Sequence, residues 1–214
     1  MKSFSGWTIA EVEKEFQVKM VAQFDLLDEW LDAGDIDGND IPVETLQRME
    51  QKLIKSVYSW NEEELKFKVI APLLNSIDFD EEHYQAFLER PIAAPYKNDT
   101  LSGTVDFIVA NGNRLPEQPY FFLHEHKKDT NSTGDPLGQV MIAMIAAQIL
   151  NTSNHPLYGA YVIGRHWYFV VLSGKEYAVS LAYDVTQGKI GDVYHILKKT
   201  KSIINDLVEY QSKG

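Results

Sequence analysis

Between Leu137 and Leu150 only Gln139 and Gln148 interrupt a run of apolar and small residues, and that run constrains the layers around it. Asp135-Pro136 just ahead supplies an N-cap and a first-turn proline, so the run predicts a helix that is apolar nearly all round. Such a helix has to be covered on every side. It is shorter than the roughly 20 residues that span a bilayer, so its cover is protein and no membrane partner is expected. Strand-like runs lie before it at about 83–91, 104–110 and 120–126, and after it at about 157–163 and 167–172. Gly164-Arg165-His166 joins the last two with the length of a hairpin loop, and a further run at 176–183 suits an edge strand. An amphipathic helix over about 190–210 closes the chain. Helix, three strands, helix, then strands predicts an α/β fold: a mixed central sheet flanked by helices on both faces.

The first 58 residues have a different character. Thr8-x-x-Glu11 fits a capping box, and Ile9, Val12, Phe16, Met20, Phe24, Leu27 and Leu31 follow at helical spacing. One long helix ending near Ala33-Gly34 is expected. A second stripe, Val43, Leu46, Met49, Leu53, Ile54 and Val57, follows Pro42. Residues 1–58 are thus expected to form an acidic N-terminal helical hairpin, too small for its own core and packed on residues 59–214. A third helix is expected over about 61–75, with Leu65, Val69, Ile70, Leu73 and Leu74 facing inward.

The chain carries 20 Lys and Arg against 31 Asp and Glu, a net charge of −11, which argues against a protein that passively coats nucleic acid. Seven acids and no Lys or Arg lie between Asp25 and Asp40, so that stretch is excluded as a polyanion-binding surface. No cysteine is present, which removes disulfides and thiolate metal sites and accords with a reducing compartment. Met-Lys-Ser-Phe-Ser-Gly-Trp lacks the apolar core of a signal peptide, and a cytoplasmic location is expected.

Chemistry is expected where the third strand ends. In Tyr120-Phe121-Phe122-Leu123-His124-Glu125-His126-Lys127 alternate side chains share a face, which sets Glu125 beside Lys127. Glu-x-Lys occurs three times in the chain, but Glu50-x-Lys52 and Glu64-x-Lys66 fall on expected helices, where this spacing separates the side chains. Asp106 is the one acid inside the otherwise apolar or small run Gly103–Ala110. A buried acid needs a partner. It either pairs locally near the strand start or, if the two strands are neighbours, converges with Glu125 on a divalent cation. Glu62 lies on the inward face of the 61–75 helix at its start. It is read equally as the acid of a capping box (Ser59-x-x-Glu62, with Asn61-x-x-Glu64 as the competing box) and as a third site acid. Glu63 is the fallback.

This order of elements resembles the PD-(D/E)xK nuclease superfamily: a helix opening on an acid, a strand carrying Asp106, a strand ending in Glu125-His126-Lys127, and a following helix with Gln139 near its start. Asn61-Glu62-Glu63-Glu64-Leu65-Lys66 through Ile70-Ala71-Pro72-Leu73-Leu74 resembles the first core helix in the nuclease domain of type I restriction enzyme motor subunits. The resemblance covers about residues 61–172, and Val105 stands where the family name has proline. It implies a restriction-endonuclease-like core that hydrolyses phosphodiester bonds in DNA, in restriction, defence or mobile-element biology. It further implies Mg²⁺, with Mn²⁺ as a substitute, held by Asp106, Glu125 and the backbone carbonyl of His126. Glu62 would complete the metal shell directly or through water, Lys127 would orient or deprotonate the attacking water, and Gln139 would steady the water or the scissile phosphate.

Other signals point elsewhere. The acidic hairpin and the absence of an obvious basic groove suit an alternative: a nuclease-fold scaffold with a weak or silent site that docks a protein partner or a second copy of itself. His124-x-His126 has zinc-ligand spacing but no evident third ligand, so two partly buried histidines are the better reading. Asp35-x-Asp37-Gly38-Asn39-Asp40 resembles a calcium loop with its glycine misplaced and Leu46 where a bidentate acid is needed, and it reads as a turn. Lys198, Lys199 and Lys201 read as a solvated helix face, and Tyr158, Tyr161, Trp167, Tyr168 and Phe169 as core.

Overall fold

Among the residues described by the computed structural model (3–32, 34, 41–127 and 134–212), the strands join into one sheet. They are β1 (Lys19–Met20), β2 (Gln85–Tyr96), β3 (Asp99–Asn111), β4 (Glu117–Lys127), β5 (Leu157–Ile163), β6 (His166–Ser173), β7 (Glu176–Val179) and β8 (Tyr183–Asp184). Their order is β1-β7-β6-β5-β4-β3-β2, with β8 on β6. The sheet is mixed: β1–β7 and β4–β5 run parallel, and every other described pair is antiparallel. The calcium-like turn at Asp35–Asp40 lies outside the described residues.

The apolar helix is α6 (Pro136–Leu150), the crossover between the parallel neighbours β4 and β5. Asp135 caps it, accepting from Gly138 N–H at 3.0 Å through one carboxylate oxygen and from Ile9 N–H at 2.7 Å through the other. Every residue from Gly138 to Ala147 is buried. One side of α6 packs on β2–β5. The other is covered by a short 3₁₀ turn (Phe4–Gly6) and α1 (Ile9–Phe16), through Phe4, Trp7 and Val12. The approach is close enough that a Cβ on Gly138 would stand 2.5 Å from the Trp7 carbonyl oxygen, so glycine is required there. Among the described residues no helix is long and apolar enough to cross a membrane.

The opposite face carries α2 (Asp25–Leu31), α3 (Val43–Ser56), the helical run α4 (Glu62–Leu65), a π-turn (Lys66–Ile70) and α5 (Ala71–Asn75), and α7 (Ile190–Ser212). In the 62–75 run, Ala71 N–H reaches back to Lys66 O. Pro72 lacks a donor and crowds the carbonyl four residues earlier, which explains why the wider turn falls just before it.

The expected N-terminal hairpin of two long helices is not what forms. The periodic stripe from Ile9 to Leu31 breaks at Gln17, which takes a left-handed conformation (φ 54°). Lys19 N–H and Val21 N–H then bond Lys175 O and Tyr177 O, at 2.8 and 2.9 Å, and add β1 to the sheet edge. Pairing with β7 overrides helical periodicity here. The segment therefore crosses the sheet edge, with α1 on one face and α2 and α3 on the other. The expected solvated lysines are also engaged: Lys199 donates to the Asp32 carbonyl (2.6 Å) and the Glu29 carbonyl at the end of α2, and Lys201 to Asp78 O (2.6 Å) and Glu81 Oε1 (2.6 Å).

Trp30 anchors α2. Fully buried, it meets Tyr158 and Phe169 edge-on at 5.0 and 5.1 Å, and its indole N–H reaches Thr200 Oγ1 (3.0 Å) and Ile196 O (3.2 Å). Trp30→Ala is expected to lower unfolding free energy by about 3–5 kcal/mol. Thr200→Val, which leaves the Ile196 carbonyl as acceptor, should cost only about 1 kcal/mol. Chemical denaturation measures both, and equal losses would contradict this assignment.

Candidate active site

Of the sequence candidates, Asp106, Glu125, His126, Lys127 and Glu62 come together where β4 parts from β3. Regular pairing runs as far as Phe107 opposite His124, and one further step sets Asp106 across from Glu125. On the other side of β3, pairing is regular at Leu88–Phe107 and Arg90–Val105. Between them Glu89 adopts φ 50°, and the inward faces invert: Val105 belongs to the core under α6, Phe107 to the opposite core. Asp106 sits at this inversion, which removes it from the ordinary alternation.

Its carboxylate closes the gap between the strands. Asp106 Oδ2 accepts from His126 N–H at 3.1 Å and from His126 Nδ1 at 2.8 Å. The Lys127 carbonyl accepts from Gly164 N–H at 2.9 Å on the β5 side. Backbone groups alternate along a strand, so His126 N–H and C=O face β3 and the Asp106 carboxylate. Glu125 is nearly fully buried, and the Asp106 charge acts on its carboxyl group.

The two acids are driven apart electrostatically. For Asp106 burial favours the neutral form, but the His126 ring, its charge and its N–H outweigh that and draw the pKa down to about 2. Glu125 is raised well above the usual carboxyl range by burial and then by the Asp106 charge, with Lys127 partly opposing. The shifts are opposite, Asp106 toward the ionised form and Glu125 toward the protonated one, as close carboxylates do when one site serves both.

Glu62 belongs to the same site. Asn61 caps α4, accepting from Glu64 N–H at 2.8 Å, while Glu64 Oε2 accepts from Asn61 N–H at 3.1 Å. The capping acid is therefore Glu64. Glu62 is left to face β4, where its Oε1 lies 3.7 Å from Lys127 Nζ. Glu63 points to solvent.

Gln139 occupies the first turn of α6, buried, with its Oε1 lacking a hydrogen-bond partner among the described residues. A Cβ on Gly134 would stand 3.2 Å from that oxygen. Among the described residues no hydrogen bond joins Gln139 to the group around Asp106.

Lys66 was not singled out by sequence, although it lies one helical turn beyond Glu62. It pairs with Glu89, feels the Asp106 charge, and lines a cavity with Asp106, His124 and His126. Burial lowers its pKa, but Glu89 and then Asp106 more than compensate and raise it. His124 is buried with both ring nitrogens unpartnered; burial and the His126 charge hold its pKa down to about 3. The two histidine rings stand 6.2 Å apart, and among the described residues no group of three His, Asp or Glu is arranged to hold an ion.

The chemistry of the donor set nevertheless suits a hard divalent cation. Two adjoining carboxylates and the His126 carbonyl present oxygen, the ligand Mg²⁺ and Mn²⁺ prefer, and a cation would replace the proton between the acids. No protein-family model and no curated protein sequence matches this chain.

A stability consequence follows. Between the ordinary Glu pKa and the raised one, the folded state keeps a proton that the unfolded chain has lost, so stability falls as pH rises through that window. Glu125→Gln keeps the shape without the charge. It should raise the melting temperature at pH 8 by a few °C, at about 2–4 °C per kcal/mol for a chain this size. The gain should shrink toward pH 4.5. A loss of stability at pH 8 would contradict the assignment of Glu125 as a strained acid.

Proposed function

We propose that this chain is a metal-dependent nuclease of the PD-(D/E)xK type, with a restriction-endonuclease-like core, acting on phosphodiester bonds in DNA. The observation that carries the reading is the Asp106–Glu125 carboxylate pair where the end of β4 parts from the middle of β3, with Lys127 two residues beyond Glu125 and held toward Glu62. Asp106, Glu125 and the His126 carbonyl would hold Mg²⁺, which supplies stabilisation of charge on the phosphate and a lowered pKa for bound water. His126 keeps Asp106 ionised and fixed in direction. Lys127 orients the attacking water with its ammonium, and Glu62 aims that ammonium. Gln139, on the adjoining helix, is available to the phosphate or water.

The surroundings set terms for the substrate. Lys66, Lys68, Lys127 and Arg165 each face an acid: Glu89, Glu64, Glu62 and Asp184 respectively. A DNA phosphate must displace these carboxylates, so non-specific attraction is weak for a nuclease.

Incubation of the purified protein with plasmid and single-stranded DNA tests the proposal. Cleavage is expected with Mg²⁺ or Mn²⁺ and not with chelator. Asp106→Ala, Glu125→Ala and Lys127→Ala should each reduce the rate by about 10²-fold or more, and Glu62→Gln by about 10-fold. Cleavage unaffected by Asp106→Ala would refute the assignment.

A further inference from the structure

Beside Asp106 lies a cavity of about 270 Å³, bounded by the π-turn and α5 on one side and by β2, β3 and β4 on the other. Phosphodiester hydrolysis gives it no task. Its volume lies just under the roughly 300–1,000 Å³ of pockets for drug-sized ligands, which suits a single ring system. Ile70, Leu74, Phe79 and Phe107 supply apolar walls, with the two phenylalanine rings edge-to-face at 5.8 Å. Asp78, Asp80 and Asp106 also line it, against Lys66, which Glu89 already pairs, so a free anion is disfavoured.

His124 narrows the ligand further. It lines this cavity with only 1% of its surface exposed, and neither ring nitrogen has a hydrogen-bond partner among the described residues. Both imidazole nitrogens form hydrogen bonds, and leaving both unmet while buried is costly. A hydrocarbon cannot meet either. The walls call for a planar, uncharged ring with hydrogen-bonding edges.

We propose that this cavity receives one unstacked nucleobase from the DNA strand whose phosphate lies at Asp106 and Glu125. The preferred substrate is then single-stranded or base-flipped DNA rather than a stacked duplex. This deepens the nuclease reading and rests on it for the position of the phosphate. Insertion of the base offsets the weak phosphate attraction, because stacking is tolerant of sequence and independent of charge. Asp80, one of whose oxygens is taken by Ala86 N–H at 3.0 Å, and Asp78 are acceptors suited to the exocyclic amines of adenine and cytosine, which thymine lacks.

Anisotropy titrations in chelator, where no strand is cut, test this with fluorescent dodecamers of dA, dC, dT and abasic deoxyribose phosphate. The wild-type chain should bind dA and dC strands about tenfold tighter than the abasic strand, with dT between. Ala71→Phe and Ala86→Phe, two independent ways of filling the cavity, should abolish this discrimination in folded protein. Equal affinity for base-bearing and abasic strands would overturn the proposal, as would discrimination that survives in a filled variant that melts like wild type. Displacement of the dA strand by dAMP at concentrations near the strand's own Kd would also overturn it, since the occupant would then be a free nucleotide. Because binding is read without cleavage, metal-dependent cutting with no base discrimination sinks only the pocket. Base discrimination with no cutting sinks only the catalytic reading.

Discussion

One carboxylate ties the middle of β3 to the end of β4. Past Phe107 and His124 the regular ladder no longer joins these strands, yet the His126 N–H and ring both find Asp106 Oδ2. A charge-assisted bond from a buried donor is stronger than the neutral ladder bond it replaces. That contact lets the strands part, fixes the direction of Asp106, and leaves Glu125 buried against an ionised neighbour. The raised Glu125 pKa, the position of Lys127 and the cavity walled by His124 and His126 all depend on it.

The rest of the chain packs around that parting. α6, buried from Gly138 to Ala147, braces β4 and β5 from one face, and the 62–75 helical run crosses the other, bringing Glu62 to Lys127 and Lys66 to the cavity. The N-terminal segment locks both layers by passing round the sheet edge at β1, with Phe4, Trp7 and Val12 over α6 and Trp30 under β5 and β6. A segment placed this way contributes to both cores at once, which separates it from an appended acidic hairpin. The π-turn before Pro72 lies in the wall of the cavity, where a locally widened helix carries Lys66 and Ile70.

Where periodicity and burial agreed, the sequence was legible. The apolar run at Leu137–Leu150 and the alternating strands on either side led to the mixed sheet and its covering helices. Asp106 was conspicuous because an acid in an apolar strand has few explanations. The stripe from Ile9 to Leu31 misled because helical spacing persists across Gln17, and only pairing with β7, distant in sequence, breaks it. Glu62 was ambiguous for a local reason, since two overlapping capping boxes compete; the choice of Asn61 and Glu64 rests on backbone angles that sequence does not reveal. Lys66 carries no signal in sequence because on a helix Glu-x-Lys sets no partner beside it, and the acids that act on it, Glu89 and Asp106, come from across the fold. The inversion at Glu89, which takes Asp106 out of alternation, has no sequence signal because a glutamate at positive φ is uncommon.

In the proposed nuclease Asp106 and Glu125 form one site for a hard divalent cation, which direct binding reads most simply. Calorimetric titration of Mn²⁺ into the full chain should show one site per chain, competed by Mg²⁺ and lost in Asp106→Asn and in Glu125→Gln. Binding unchanged in both variants, or no binding by the folded wild-type chain, would contradict the account.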